Sequence, residues 1–531
     1  MIRVFQVKCD VDDEKVIIKQ LLKKLNITRK DLFSWSIHRK SVDARKQKVL
    51  FSYVIDCEIK NEQKALKNKD VHICPNETYH FVSKGEHELK SRPVVVGFGP
   101  AGMFAALILA QQGYNPIVIE RGSEVHTRIE KVNTFWTKGQ LDEECNVQYG
   151  EGGAGTFSDG KLTTRSKDSR ARKVLEELVH FGAKKDILID AHPHIGTDAF
   201  IDIIYNLREE IKKLGGTFYF DAKLENIEIE NNELVSIQVN GQTVPCNALI
   251  LSIGHSATDT IQMLHDKGVY MENKPFAIGV RIEHKQQFIN EAMLKEYAND
   301  PRLIPARYQL THTASNNKGV YTFCMCPGGY VIPCSSSKNK LVINGMSYAS
   351  RDGVNANSAL LVQVNESDYG TELFDGLKYQ EQLEQKAFEM AKDYKALVQL
   401  STDYLNNVVS THLDQVEPTY ALGYTFGNLN ELFSEPVNLA LHEALENFEK
   451  RVPGFASTSV LSAVESRSSA SVRIVRNEQL EANIKGIYPA GEGSGYAGGI
   501  MTSAIDGIRC AESLISYYDS KKRGEKNGSV L

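Results

Sequence analysis

Val94-Val95-Val96-Gly97-Phe98-Gly99-Pro100-Ala101-Gly102, then a helical run, then Ile117-Val118-Ile119-Glu120-Arg121-Gly122, is the stretch on which the fold turns. Three β-branched residues predict a buried strand. Gly97 is expected to make the tight turn, Gly99 to let backbone amides approach a pyrophosphate, and Gly102 to let the following helix pack closely on the sheet. The pyrophosphate, with Pro100 and Ala101 beside it, belongs at that helix's positive N-terminus. Glu120 ends the second strand, where a carboxylate can accept hydrogen bonds from both ribose hydroxyls and would repel a 2′-phosphate, which argues against NADP in this site. The competing reading is an ordinary strand–turn–helix corner that binds nothing. Strand, helix and terminal Glu all fall where dinucleotide binding needs them, so the unit is read as a dinucleotide-binding βαβ.

A chain of 531 residues suggests about two to four domains. Its net charge of −5 gives no general reason to expect nucleic acid or an anionic membrane. Nine scattered cysteines without a C-x-x-C make no disulfide framework, and a reducing compartment is the simpler reading. Met1-Ile2-Arg3-Val4-Phe5-Gln6-Val7-Lys8 carries charges inside its short apolar run, unlike a signal peptide. No stretch approaches the roughly 20 apolar residues of a membrane span. The expected location is cytoplasmic, and no metal site is expected.

Residues 1–90 read as a small α+β module: strand 2–9, helix 13–25, then strands near 34–39 and 49–59. Its basic cluster, Arg39-Lys40-Ser41-Val42-Asp43-Ala44-Arg45-Lys46-Gln47-Lys48, is placed at a turn between strands. A solvated hairpin tip is favoured there over a docking or phosphate-binding loop. Residues 91–273 are assigned to the first part of the dinucleotide-binding domain, 274–453 to an inserted β-rich substrate or cap domain, and 454–531 to the remainder of the first. Two late segments read as returns to the first sheet: Ala248-Leu249-Ile250-Leu251-Ser252-Ile253-Gly254 and Ile487-Tyr488-Pro489-Ala490-Gly491-Glu492-Gly493. A helix is expected over 501–517.

A second glycine-rich tract, Gly150-Glu151-Gly152-Gly153-Ala154-Gly155-Thr156-Phe157-Ser158-Asp159-Gly160-Lys161-Leu162, cannot fill a core. It can bring backbone amides and hydroxyls against a flat polar ring. Together with the late strand and its Gly491-Glu492, it resembles the FAD-dependent oxidoreductases of the two-dinucleotide-binding-domain superfamily. There a fingerprint near the start is completed by a late strand ending in Gly-Asp. Here Glu492 replaces the usual Asp, and a carboxylate at that position can accept a ribityl hydroxyl hydrogen bond with one more methylene of reach. The resemblance implies that Gly498-Gly499-Ile500 aims a helix N-terminus at the flavin pyrimidine edge, favouring the anionic reduced form. It implies that Thr156, Ser158 and Lys161 contact the flavin, with Gly153 and Leu162 in the same loop. It also implies backbone contacts to adenine near Lys223 and Leu224, Ser252 and Gly254 near the pyrophosphate, and Arg121 beside Glu120.

Nearly the whole chain is similar to a family of bacterial and plastid FAD-dependent dehydrogenases. The likeness adds Gly279-Val280-Arg281-Ile282-Glu283-His284 and Tyr321-Thr322-Phe323-Cys324-Met325-Cys326-Pro327-Gly328-Gly329 to the tracts above. It implies an α/β fold (α+β overall), in which an interrupted Rossmann-like FAD-binding domain carries an inserted β-rich substrate/cap domain and the small N-terminal α+β module. FAD is the expected cofactor, bound non-covalently. No second strand-G-x-G-x-x-G-helix is visible, so NAD(P)H would enter only transiently as an electron donor.

Hydride transfer through flavin N5, to or from a small or medium-sized organic substrate, is the expected reaction. Lys161, His284, Arg467 and Cys326 are the catalytic candidates. Arg467, in Glu465-Ser466-Arg467-Ser468, can clamp a carboxylate or phosphate. His284 or His255 can serve as a general acid. Cys324 and Cys326, as alternate residues of a strand, are expected about 7 Å apart and too distant for easy disulfide formation. An alternative is reduction of isoprenoid-like double bonds, which predicts an apolar tunnel rather than an arginine-lined cleft. Another is a flavin-containing nucleic-acid-associated or interaction protein, resting on the basic cluster alone. An electron donor or acceptor protein remains open as a partner.

Overall fold

The fingerprint strand, Val94–Val96, is the centre of a five-stranded parallel sheet in a computed structural model that describes residues 1–43, 48–163 and 168–523. The sheet order is Ile487–Pro489, Leu249–Leu251, Val94–Val96, Ile117–Ile119, Thr217–Tyr219, every neighbour parallel. Both late segments therefore return beside the fingerprint. Val95, Val118, Ile250 and Tyr488 face one side, while Val94, Val96, Ile117, Ile119, Leu249 and Leu251 face the other. Both faces are covered, which is why these strands are apolar throughout rather than alternating. Helices Pro100–Gln111, Arg170–His180, Thr197–Lys213 and Ile500–Tyr517 form the cover on the first side. A three-stranded antiparallel sheet (Leu224–Glu230, Glu233–Val239, Gln242–Pro245) and helix Thr258–Asp266 close the second.

Helix Pro100–Gln111 is buried all round, from Ala101 to Ala110, as expected for a helix held between a sheet and another helix. A Cβ at Gly102 would lie 1.9 Å from the Gly97 carbonyl oxygen, and one at Gly507 would lie 2.0 Å from that of Ala101. These two positions require close backbone approach, and they fix the helix onto its strand and onto helix Ile500–Tyr517.

The cap is a seven-stranded sheet, in the order Thr311–Thr313, Gly319–Cys326, Asn355–Val364, Phe276–Lys285, Val460–Glu465, Ala396–Leu400, Tyr424–Phe426. Strand Val460–Glu465 corrects the expected boundary at 453. It lies between Phe276–Lys285 and Ala396–Leu400 as an inner cap strand, not within the cofactor domain. In strand Phe276–Lys285, Phe276, Ile278, Val280 and Ile282 face a core containing helix Glu435–Arg451. Ala277 lies on the opposite face with Ala359 and Leu361. Strand parity thus puts Arg281 and Glu283 on one side and His284 on the other.

The N-terminal module is a four-stranded antiparallel sheet, ordered Leu32–Asp43, Leu50–Ile59, Ile2–Cys9, Val71–Ile73. Its helix Glu14–Leu25 is capped by Asp13, whose carboxylate accepts from Lys15 N at 2.9 Å and Val16 N at 3.1 Å. Arg39 to Asp43 of the basic cluster continue a strand rather than forming a turn, and residues 44–47 lie outside the described residues. Lys40 is ion-paired with Asp12. Its N–H donates to the Ile189 carbonyl at 2.6 Å, and its carbonyl accepts from Ala191 N at 2.9 Å. The module's edge strand is therefore covered by the cofactor domain, which blunts it against other pairings. No helix among the described residues is long and apolar enough to cross a membrane.

Candidate active site

A single cavity of about 400 Å³ runs from the fingerprint turn, past the glycine-rich tract, to the wall of the cap. This is within the size range of cofactor and ligand sites. At its first end lie Glu120, Arg121, Lys223 and Leu224. The Glu120 carboxylate accepts from Phe98 N at 2.8 Å, Gly122 N at 3.0 Å and Gly150 N at 2.9 Å. It ties together the fingerprint turn, its own turn and the glycine tract. Three of about four acceptor positions are thus filled, so it retains room for one further hydrogen bond, not the two expected. Arg121 stacks on Tyr149 with 4.1 Å to the ring centre and pairs with Glu144 and Asp259.

In the middle of the cavity the two glycine-rich turns meet. A Cβ at Gly153 would lie 2.8 Å from Gly99 Cα, and Gly153 itself sits at φ +64°, where a side chain would be strained. The Ser252 hydroxyl donates to the carbonyls of Val96 (2.8 Å) and Gly97 (2.9 Å), bracing the turn. Side chains at Gly254, Gly498 or Gly499 would meet no atom within 4 Å. These glycines leave a trough of open space bordered by backbone, which fits an extended pyrophosphate and ribityl chain.

Arg128 holds the glycine tract in shape. Its side chain is fully buried, at a position of helix Val125–Lys138 that shares one stripe with Val125, Val132 and Phe135. The guanidinium donates to the carbonyls of Asn146 (3.0 Å), Val147 (3.0 Å), Gly150 (3.2 Å), Glu151 (2.7 Å) and Gly153 (2.9 Å), and to the Thr156 hydroxyl (3.2 Å). Next to it, burial pushes the Glu151 carboxyl up to about 7, against the lowering effect of Arg208 and the Val125 N–H. Folded Glu151 therefore binds a proton more tightly than the unfolded chain, so its contribution to stability is full below the ordinary carboxyl range and is lost as pH rises through about 7. Unfolding free energies are expected to fall by up to about 3 kcal/mol from this group between pH 5 and 8. Denaturant titrations across that range check this, and Glu151→Gln is expected to flatten the slope; an unchanged slope would contradict it.

At the far end the cavity meets the cap through Phe323, Cys324, Asn344, Gly345, Glu465 and Arg467. Behind this wall Arg281, fully buried, donates to Glu465 (2.5 Å), Asn344 (2.7 Å), Asn357 (2.8 Å) and the Cys324 carbonyl (3.2 Å). Burial pushes Glu465 up to about 7 despite Arg281. Opposite, the Lys161 ammonium donates to the Met325 carbonyl and lies 3.4 Å from Asp159, which is paired bidentately with Arg351. The glycine tract is thereby bolted to the cap. Glu492 is raised by burial, opposed by His255, the Gly499 N–H and Lys274.

Of the residues expected at the cofactor, Gly97, Gly99, Pro100, Ala101, Glu120, Arg121, Gly153, Ser158, Lys161, Leu224, Ser252, Gly254, Glu492, Gly498, Gly499 and Ile500 line this cavity. Four do not. Gly102 packs on Gly97; Thr156 is buried with its hydroxyl on Arg128; Leu162 belongs to the helical core. Gly491 packs on Ala101 and donates its N–H to Asp506 at 2.8 Å.

The catalytic candidates divide. Lys161 and Arg467 line the cavity. His284 is a correction: strand parity turns it into the cap core, where it stacks with Phe288 and bonds the Phe455 carbonyl at 2.7 Å. Burial pushes it down to about 4, so it is neutral and structural. Cys326 lies buried behind Cys324, which faces the cavity. A bulge interrupts the strand between Phe323 and Cys326, so the two cysteines do not stand as regular alternate residues. Tyr149, Asp159, Asn344 and Glu465 also line the cavity and were not anticipated there. A charged residue inside an apolar strand, as at Arg281, was the available signal for the network behind the wall.

Arg467 is held bidentately by Glu384, at 2.6 Å and 3.0 Å, rather than standing free to clamp a ligand. Its Nη1 has no partner among the described residues. Arg467→Met is expected to destabilise the protein by about 3 kcal/mol by leaving the buried Glu384 carboxylate without its cation. Denaturant unfolding measures this, and unchanged stability would contradict it.

Comparison with known proteins finds several similarities. Residues 275–468 match the family model "FAD-dependent protein, C-terminal domain-like", and residues 1–58 match a domain of unknown function. A protein of Clostridium beijerinckii, described as uncharacterized, is 46% identical over 98% of this chain and 100% of its own length. Among solved structures, L-proline dehydrogenase from P. horikoshii is similar over 80% of this chain and 93% of its own, at 13% identity and a TM-score of 0.33. The glycerol-3-phosphate dehydrogenase from Bacillus halodurans, complexed with FAD, is similar over 81% and 65%, at 9% identity and a TM-score of 0.34.

Proposed function

The chain belongs to the same family as its Clostridium relative, and its cap matches a model of FAD-dependent proteins; on that premise we propose that it is an FAD-dependent oxidoreductase that transfers a hydride between FAD and a small or medium-sized polar organic molecule bound against the cap. The observation that carries the reading is the single cavity joining the fingerprint turn to a charged cap wall. In this reading the backbone of Gly97, Gly99 and Gly153 receives the pyrophosphate, and Glu120, Arg121 and Leu224 receive the adenosine. Glu492 accepts from the ribityl chain. Gly498 and Gly499 present the N-terminus of helix Ile500–Tyr517, whose dipole stabilises negative charge on the pyrimidine edge. Bound there, FAD supplies a two-electron acceptor or donor at N5.

The chain's own part in the reaction lies at the cap. Lys161 and the Nη1 of Arg467 supply positive charge for an anionic group of the substrate, and Cys324 and Asn344 border the space beside them. Asp159, Glu465 and Glu384 keep these cations in place. A wall of this composition suits a polar substrate, and nothing favours an apolar tunnel for an isoprenoid. NAD(P)H, with no second dinucleotide fold to hold it, would visit the same space transiently.

Anaerobic stopped-flow mixing of the purified flavoprotein with NADH, with NADPH, and then with panels of amino acids, hydroxy acids and other polar donors tests the reading. Bleaching of the flavin band by at least one of them is expected, and slower bleaching in Lys161→Met. A flavin that none of these reduces, and that once reduced passes electrons to no polar acceptor, would overturn it.

A further inference from the structure

We propose that Cys324 and Cys326 form a redox-active dithiol that exchanges an electron pair with the flavin. The proposal rests on the FAD reading above and adds a second redox centre to it.

Strand Gly319–Cys326 pairs regularly with Asn355–Val364 as far as Phe323 opposite Ala359, after which Cys326 stands opposite Asn357. One extra residue is thus accommodated, and Cys324 takes a left-handed φ of +43° within the bulge. Bulges of this kind re-aim side chains and are over-represented beside active sites. A left-handed conformation is also costly for a cysteine, and such strain clusters at functional positions. In an unbroken strand the two side chains would stand apart in parallel; here the extra residue breaks that alternation. The Cys326 thiol donates to the Cys324 carbonyl oxygen at 3.2 Å.

The pair is also asymmetric. Cys324 borders the cavity, and Cys326 is fully buried behind it. Lys161 is tethered to the carbonyl of Met325, between the two cysteines. Arg281 reaches the Cys324 carbonyl at 3.2 Å and Cys326 Sγ at 4.0 Å. The Cys326 hydrogen bond, Lys161 and Arg281 hold Cys324 well below the usual thiol range, against burial and the Asp159 charge. Its partner's hydrogen bond and burial push Cys326 well above that range. A cysteine of lowered pKa bordering the cavity, with a second thiol buried behind it, is the arrangement a dithiol oxidation needs.

The chemistry balances. Formation of the Cys324–Cys326 S–S bond from a thiolate and a thiol breaks the Cys326 S–H bond and releases two electrons and one proton. Oxidised FAD takes up the electron pair and one proton, becoming the reduced anion that the N-terminus of helix Ile500–Tyr517 favours. In the reverse direction, reduced FAD returns the pair and the disulfide opens.

Two measurements on the purified full-length protein test this. After diamide oxidation, non-reducing alkylation and peptide mass spectrometry, Cys324 and Cys326 are expected to be unlabelled and linked, and to be labelled after reduction with dithionite. In an anaerobic dithionite titration, the diamide-treated protein is expected to consume roughly twice the reducing equivalents per flavin that Cys326→Ser consumes, and Cys324→Ser should match Cys326→Ser. A yellow protein whose pair stays fully alkylated after diamide, or whose titration equals that of both variants, overturns the dithiol. A colourless protein in which the disulfide still forms overturns the FAD reading, and with it the exchange partner, but not the pair's redox activity.

Discussion

Arg128→Met is expected to destabilise the protein by about 4 kcal/mol or more and to abolish stable flavin retention. The side chain lies in an apolar stripe, yet its guanidinium satisfies five backbone carbonyls and the Thr156 hydroxyl. Methionine fills the stripe but donates nothing. Hydrogen bonds from a charged donor contribute roughly 1.5–3 kcal/mol each, and buried acceptors left unsatisfied cost about 1–3 kcal/mol. Some carbonyls will recover water, so the total stays well below the sum. The glycine tract has too few side chains to hold its own shape, so its loss should be local as well as global. Denaturant unfolding, together with the flavin-to-protein ratio after gel filtration, measures both effects. A variant that keeps its stability and its colour would show that the tract is organised by something else.

Gly99 offers a graded test of where the pyrophosphate lies. A Cβ there meets nothing closer than Gly153 Cα at 3.5 Å, an ordinary contact, and Gly99 is in extended backbone at φ −81°. Gly99→Ala should fold normally and weaken FAD binding by about tenfold, or 1.4 kcal/mol. Gly99→Trp should also fold, since its side chain projects into the cavity, but binding should fall by a factor of about a thousand or more because the indole occupies the trough. Apoprotein titration with FAD reads both. Equal affinity in wild type and Gly99→Trp would place the dinucleotide elsewhere.

The cofactor half of the molecule was legible because its signals are local. The strand, the turn glycines and Glu120 fall within one βαβ, and the two late strands end in recognisable turns. What the pattern around Glu120 could not reveal is that the Gly150 N–H, brought back by a distant loop, occupies part of its carboxylate. Arg467 was visible as a cation near the last cofactor strand. Its partner Glu384 lies on a helix of the cap, and nothing in the spacing linked the two. Strand Val460–Glu465 was misplaced for the same reason, since its neighbours are set by long-range pairing. His284 is different: the alternation across Phe276–Lys285 was already in the sequence, and reading its parity would have separated His284 from Arg281. The Cys324 bulge carried no such signal, because an extra residue in a strand shows only in the register of its partner.

Every role proposed for the cavity requires one FAD held in each chain. Protein purified without added flavin, saturated with FAD, gel-filtered and then heat-denatured should release FAD, identified by chromatography, at about one equivalent per chain. A correctly folded wild-type protein that emerges colourless and releases none would contradict FAD binding in this cavity.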